Sequence, residues 1–165
     1  MPPINLPDTS GQRHDLDGSP ATVIVFTCNH CPYALAWHER IADAARDYAD
    51  RGVRFLCINP NDGERYPADS YEAMQRRVAT EDWPMPYLHD ADQSVARAYE
   101  AQTTPDLFVA DSQGRLAYRG APDSSHSDPS QNAAWLRAAL DALLDGRAPD
   151  PAETEPVGCS VKWLA

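Results

Sequence analysis

The sequence predicts an α/β protein. It would have a central mixed β-sheet flanked by helices, a short β extension at the N-terminus, and a C-terminal tail packing back on the domain. Three observations carry this. An unbroken apolar run, Ala21 to Thr27, passes into a helical pattern at Pro32, and a second apolar run follows at Val53 to Asn59. Strand, helix, strand in that order implies a right-handed parallel unit. Later, Asp106–Ala110 and Leu116–Arg119 flank the turn Asp111-Ser112-Gln113-Gly114, a hairpin that adds antiparallel strands. In the tail, Val157, Cys159, Val161 and Trp163 alternate, and an apolar, tryptophan-bearing tail is expected to pack back on the domain.

Residues 4–17 are turn-rich, with Ile4 and Leu6 alternating before Asp8-Thr9-Ser10-Gly11, and predict a small hairpin. Ala21–Thr27 lacks alternation, as expected of a central strand buried on both faces. From Pro32 to about Asp50, Trp37, Ile41, Ala45 and Tyr48 recur at helical spacing, with Glu39, Arg40, Asp43 and Arg46 assigned to the solvent side. Gly52 ends that helix. After the loop Pro60–Gly63, Asp69 is expected to cap a short helix, with Glu72 three residues on. Tyr87-Leu88 predicts an edge strand, and Asp92 the cap of a brief helix carrying Val95 and Tyr99. Residues 122–131 read as a polar loop. A last helix, about Asn132 to Leu144, places Trp135, Leu136, Ala139, Leu140 and Leu143 on one face.

At 165 residues the chain is expected to form one domain, 1–165, with 147–165 as a C-terminal extension. Hydrophobic content of 42% and charged content of 24% suit a soluble protein. A net charge of −11, with one lysine (Lys162), disfavours nucleic acid and anionic membrane as partners. No run approaches the ~18 apolar residues of a membrane span. The N-terminal MPPINLPDTSGQ lacks a basic start and an apolar core, so the expected location is the cytoplasm. There, four cysteines point to catalysis, metal or burial rather than a disulfide framework. The acids Glu39, Asp43, Asp47 and Asp50 read as a solvated helix face, and His14, His38, His89 and His126 show no metal spacing.

Chemistry concentrates at Cys28-Asn29-His30-Cys31-Pro32, on the strand-to-helix junction. Thiol–disulfide exchange needs a thiolate and a second thiol near enough to resolve the mixed disulfide. Pro32 disfavours helical geometry in the residue before it and is itself suited to the first helical position. Cys31 is therefore expected at the N-cap, where Tyr33 or Ala34 amides and the helix dipole would favour its thiolate. Lowering a thiol from ~8.5 to ~6.5 needs ~2.7 kcal/mol, while the dipole supplies ~0.3–1 and at most ~2 kcal/mol. Backbone N–H bonds or a protonated His30 must add the rest. Cys31 is favoured as the attacking sulfur, and the reverse assignment, Cys28 attacking and Cys31 resolving, stays open. Zinc would want four ligands, and no second C-x-x-C supplies them; a cuprous site of Cys28, His30 and Cys31 is less demanding.

Several segments together resemble the peroxiredoxin-like redoxins, relatives of the alkyl hydroperoxide reductase/thiol-specific antioxidant family within the thioredoxin superfamily. These are FTCNHCPY at 26–33, INPND at 58–62, YPADSYEAM at 66–74, DQSVARAYEAQTTPD at 92–106, YRG at 118–120 and GCSVKW at 158–163. The resemblance implies a thioredoxin-like fold, a redox-active C-x-x-C, and a cis peptide before Pro105. Thr104 and Pro105 would then face the dithiol and offer backbone groups to an extended substrate. No cofactor is implied.

One departure concerns peroxide chemistry. Typical peroxiredoxins carry T-x-x-C and a later arginine. Here Thr27 stands four residues before Cys31 and one before Cys28, no arginine lies near Thr103-Thr104-Pro105, and Arg119 is a remote candidate.

The expected function is a thiol–disulfide oxidoreductase acting through Cys28 and Cys31, with a protein or small-molecule disulfide as substrate. Its electron donor would be of the thioredoxin or glutathione type. The alternative is a thiol peroxidase with Cys31 peroxidatic and Cys28 or Cys159 resolving; a lesser alternative is a metal-binding or redox-sensing module. Cys57, mid-strand, reads as buried and inert. Cys159 reads either as a small apolar contact or as a third redox thiol.

Overall fold

The computed structural model describes all 165 residues. Its strands are β1 (Leu6–Pro7), β2 (Arg13–His14), β3 (Ala21–Phe26), β4 (Val53–Asn59), β5 (Tyr87–His89), β6 (Thr103–Thr104), β7 (Asp106–Asp111), β8 (Leu116–Gly120) and β9 (Cys159–Ser160). Its helices are α1 (Pro32–Tyr48), α2 (Tyr71–Thr80), α3 (Ser94–Ala98) and α4 (Ala134–Leu144). The central sheet runs β5-β4-β3-β7-β8, with β3, β4 and β5 parallel and β7 and β8 antiparallel. This is the mixed sheet flanked by helices that the sequence predicts. β1 and β2 form the N-terminal hairpin, and β9 folds back to pair with β6.

The apolar runs follow from burial on both faces. Val23 and Val25 face a cluster with Trp37, Ile41, Phe55, Leu136 and Leu140, which packs α1 and α4 on one side. Ile24 and Phe26 face Leu56, Ile58, Val95, Tyr99 and Phe108, covered by α3 and the N-terminal segment. At ~25 cal/mol per Å² of apolar surface, two such covered faces supply the main driving force for folding. Beyond α1 a 3₁₀ turn, Ala49–Arg51, leads to Gly52, whose φ of +79° is the left-handed stop expected there. No helix is long and apolar enough to cross a membrane.

Four local expectations are corrected. Ser70, not Asp69, is the N-cap of α2, its hydroxyl accepting from Ala73 N at 3.1 Å; Asp69 is buried and points elsewhere. Gln93, in the left-handed region, occupies the N-cap of α3, while Asp92 accepts from Ser94 N nearby. α4 begins at Ala134, because Asn132 and Ala133 both have positive φ.

Arg40 is the fourth. It is buried, not solvated, and pairs with Asp123 of the loop after β8 at 2.9 Å. Asp123 also accepts from Trp37 Nε1, Ser125 N and Ala133 N. Removing one partner of a buried, hydrogen-bonded charge pair strands the other, so Asp123→Ala should cost about 3–5 kcal/mol in denaturant unfolding. A loss under about 1 kcal/mol, the range of surface pairs, would show that the cluster does not tie this loop to α1.

Candidate active site

The central strand β3 ends at Phe26, and Thr27 N still donates to Ile58 O at 2.8 Å. Cys28, Asn29 and His30 then turn, and Cys31 sits at the N-cap of α1 with Pro32 at the first helical position. Both thiols are fully buried. The Thr104–Pro105 peptide is cis, and Thr104 touches both sulfurs. Its hydroxyl is 3.3 Å from Cys28 Sγ and its carbonyl oxygen 3.1 Å from Cys31 Sγ. The structure thus brings together Cys28, Cys31, Thr104 and Pro105.

Cys28 stands three residues before Cys31, the place threonine occupies in T-x-x-C. It receives the Cys31 N–H at 3.3 Å.

The two thiols are driven apart in acidity. Cys31 is held well below the ordinary thiol range, first by a hydrogen bond from the Cys28 thiol, then by the Cys159 thiol and the Ala34 amide. The Cys31 side chain makes no cap bond of regular geometry, so the Ala34 contribution comes from an amide aimed at the sulfur from the first turn. One contact opposes this: the Thr104 carbonyl accepts from the protonated form and would repel the thiolate. Burial opposes it too, second only to the Cys28 bond in size; two S–H donors, the Ala34 and Cys159 amides and the helix dipole together outweigh both. Cys28 is pushed far upward, because it is the donor to Cys31 and is buried, with the Asp69 carboxylate adding to the effect.

His30 does not supply the charge invoked for Cys31. Its Nδ1 is turned to Asp69, 2.5 Å from Oδ2 and outside hydrogen-bond geometry, and its ring stacks on Tyr66. Asp69 is the center of a polar cradle beneath the turn. It accepts from Asn29 N at 2.7 Å, Asn59 Nδ2 at 3.2 Å and Asn61 Nδ2 at 3.0 Å. Arg77 of α2 closes the other side, donating to Asn29 Oδ1 at 3.0 Å and Cys28 O at 3.3 Å, and Tyr87 OH donates to Asn29 Oδ1 at 2.8 Å.

Sequence reasoning missed Asp69, Arg77, Asn59 and Tyr87 as site residues. The quoted segments 58–62 and 66–74 contain Asn59 and Asp69, whereas Arg77 and Tyr87 lie outside every quoted segment. Arg119, the remote arginine, instead donates to the Glu100 carbonyl and Asp106 and lies over the Phe108 ring.

Cys28, His30 and Asp69 bring ligand-type atoms within 4.8 Å of one another, with Asp69 replacing Cys31 in the metal set considered from sequence. Atoms 2.5 Å apart, as in the His30–Asp69 contact, would subtend about 75° at zinc–ligand lengths of ~2.0–2.1 Å, far from tetrahedral. The arrangement does not fit a tetrahedral metal cage.

Cys57 is buried on β4, its thiol pushed up to about 12 by burial. Cys159 comes from the tail, where β9 pairs antiparallel with β6 in the register Thr104↔Cys159. It packs against Cys28, Cys31 and Ala34 while remaining partly exposed. Gly158 makes this approach possible: a β-carbon there would overlap the Thr104 carbonyl, 2.7 Å from its carbon. Gly158→Ala should push the tail off Thr104, lower stability by about 1–3 kcal/mol as overpacking does, and speed alkylation of Cys31. Unchanged stability and alkylation would contradict that packing.

A dithiol at a helix start, facing a cis-proline on a mixed sheet, defines a redoxin of the thioredoxin superfamily. The model of the AhpC/TSA family matches residues 1–119, and the chain belongs to that family. It is similar in structure to an uncharacterised conserved protein of Geobacillus kaustophilus (40% identity, TM-score 0.94, 99% of this chain and 89% of that one). A hypothetical protein of Sinorhizobium meliloti is comparable (36% identity, TM-score 0.94, 99% and 92% covered). A secreted disulfide oxidoreductase of Mycobacterium tuberculosis shares the fold (21% identity, TM-score 0.59, 79% and 94% covered). No curated protein matches the chain.

Proposed function

We propose that the protein is a thiol–disulfide oxidoreductase in which Cys31 attacks and Cys28 resolves. The observation that carries this reading is the pair of buried, touching thiols at the N-terminus of α1, with Cys31 at the helix cap and Thr104 against both sulfurs; the acidities that the surroundings favour, Cys31 low and Cys28 high, accord with it. Cys31 as thiolate attacks a disulfide sulfur, forming a mixed disulfide and releasing one substrate thiolate. Cys28 then loses its proton and attacks Cys31 Sγ, closing the Cys28–Cys31 disulfide and releasing the second thiolate. Thr104 holds both sulfurs in place, and the Asp69 cradle fixes the turn between them. The substrates are protein or small-molecule disulfides, and a dithiol or glutathione-type donor regenerates the enzyme. Work in the cytoplasm accords with this cycle, since that compartment returns thiols to the reduced state.

The direct assay is insulin reduction by the dithiol form. Turnover well above that of an equal concentration of free dithiothreitol is expected; turnover no faster would remove the reading.

A second reading, thiol peroxidase with Cys31 peroxidatic, is favoured by one observation. The sulfurs are fully buried and none of the five main clefts is lined by either, so a small peroxide meets less obstruction than a protein. Peroxide consumption by stopped flow, faster than by free cysteine, is its signature.

A further inference from the structure

The tail crosses the site as a strap fixed on both sides. Upstream, Thr154 N donates to Arg119 O at 2.9 Å, and the Thr154 hydroxyl accepts from Ala121 N at 3.0 Å. Downstream, Val161 is buried and its N–H donates to Gln102 O. Lys162 N donates to Asn61 Oδ1 at 2.9 Å, and Lys162 O accepts from Asp62 N and Gln93 Nε2. Between these anchors the strap lays Cys159 against Cys31. Cys31 therefore has a thiol on either side, Cys28 from the turn and Cys159 from the strap, and of the three only Cys159 reaches solvent.

Resting on the thiol–disulfide reading above, we propose that Cys159 is a further catalytic residue, the exchange thiol through which the buried pair meets an external monothiol such as glutathione. Starting from the Cys28–Cys31 disulfide, Cys159 gives up its proton and its thiolate attacks Cys31 Sγ. Cys28 leaves as a thiolate and takes up a proton, so the disulfide becomes Cys31–Cys159. An external thiolate next attacks Cys159 Sγ, the accessible sulfur, and Cys31 leaves as thiolate. The product is a mixed disulfide between Cys159 and the external thiol. A second molecule of that thiol attacks the external sulfur, releasing the external disulfide and freeing Cys159. Two external thiols are oxidised and one protein disulfide is reduced.

For the external attack on the Cys31–Cys159 disulfide, access and leaving-group chemistry choose the same sulfur; the first step, which expels Cys28, rests on the packing of Cys159 against Cys31. Exchange is faster when the departing thiol is the more acidic one. Cys31 is the stabilised thiolate of the pair, whereas Cys159 lies above the ordinary thiol range through burial and its bond to Cys31. Attack at Cys159 expels the better leaving group; attack at Cys31 would expel the worse one from a buried position.

The test oxidises wild type, Cys159→Ser and Cys28→Ser, mixes each with glutathione, quenches by alkylation at intervals, and maps disulfides by mass spectrometry. Wild type should carry glutathione on Cys159 and not on Cys28 or Cys31. Cys28→Ser should form the Cys31–Cys159 disulfide. Cys159→Ser should still close Cys28–Cys31 but be reduced at least about tenfold more slowly, as expected when only a buried sulfur remains to attack. Glutathione found on Cys28 or Cys31 in wild type, or a Cys159→Ser disulfide reduced at the wild-type rate, would overturn the proposal. Failure of the underlying reading looks different: no disulfide containing Cys31 would form in any of the three proteins. The wild-type map is independent of whether either variant folds.

Discussion

Cys31→Ser is expected to abolish insulin reduction, by on the order of 10³-fold or more, as loss of a sole nucleophile does. Cys28→Ser should instead keep the first attack, with its mixed disulfide on Cys31 closed by Cys159, giving Cys31–Cys159 in place of Cys28–Cys31. The asymmetry follows from position. Cys31 caps α1 and has donors around it, the thiols of Cys28 and Cys159 and the Ala34 amide, which favour its charged form. Cys28 has the opposite surroundings: it donates to Cys31, is buried, and faces the Asp69 carboxylate. A serine at 28 can still donate to the Cys31 sulfur, so the thiolate survives while resolution by Cys28 is lost. Mass spectrometry of each variant after one equivalent of a small disulfide checks this. An adduct on Cys28 in Cys31→Ser, with Cys31 left as a free thiol in Cys28→Ser, would reverse the roles.

Asp69→Ala should be among the most destabilising single changes, about 3–5 kcal/mol, the scale for emptying a buried, multiply bonded charge. Three N–H donors lose their acceptor, from Asn29 N, Asn59 Nδ2 and Asn61 Nδ2, and His30 loses the carboxylate beside its ring. Net stabilities run from about 5 to 15 kcal/mol, so the loss is a large share. At about 2–4 °C per kcal/mol for a chain of this size, the melting temperature should fall by roughly 6–20 °C. The effect spreads to the tail, because Asn61 holds both Asp69 and the Lys162 amide. Asp69→Asn keeps one acceptor and should fall between. Melting of Asp69→Ala within about one degree of wild type would show that the cradle is not what fixes the turn.

Much of the architecture was legible because burial on both faces leaves a plain mark. Val23 to Phe26 has no alternation, since each neighbour points into a different apolar cluster. The cap at Cys31 was legible because Pro32 dictates it locally. What could not be read are polar partnerships across long separations. Asp69 reaches Asn29 over 40 residues, Arg77 reaches it over 48, and Tyr87 over 58. Periodicity assigns a face to Arg40, yet only the fold places Asp123 opposite it, 83 residues on. Asp69 was misread for a related reason: an acid before a helix looks like a cap, and Ser70 beside it took that role. The tail's alternation foretold that it would pack. It did not foretell that Cys159 would land in register with Thr104, which the close approach of Gly158 permits.

The central claim is that Cys31 holds the thiolate, and ultraviolet titration of the reduced protein tests it most directly, since a thiolate absorbs near 240 nm and a thiol does not. A depressed pKa means the charged form persists as pH falls below the ordinary thiol value of ~8.5. Wild type and Cys28→Ser should therefore keep one thiolate at pH 7 and lose it only in acid, while Cys31→Ser shows none at pH 7. A titration with no thiolate below pH 8, or one retained in Cys31→Ser and lost in Cys28→Ser, would contradict the account.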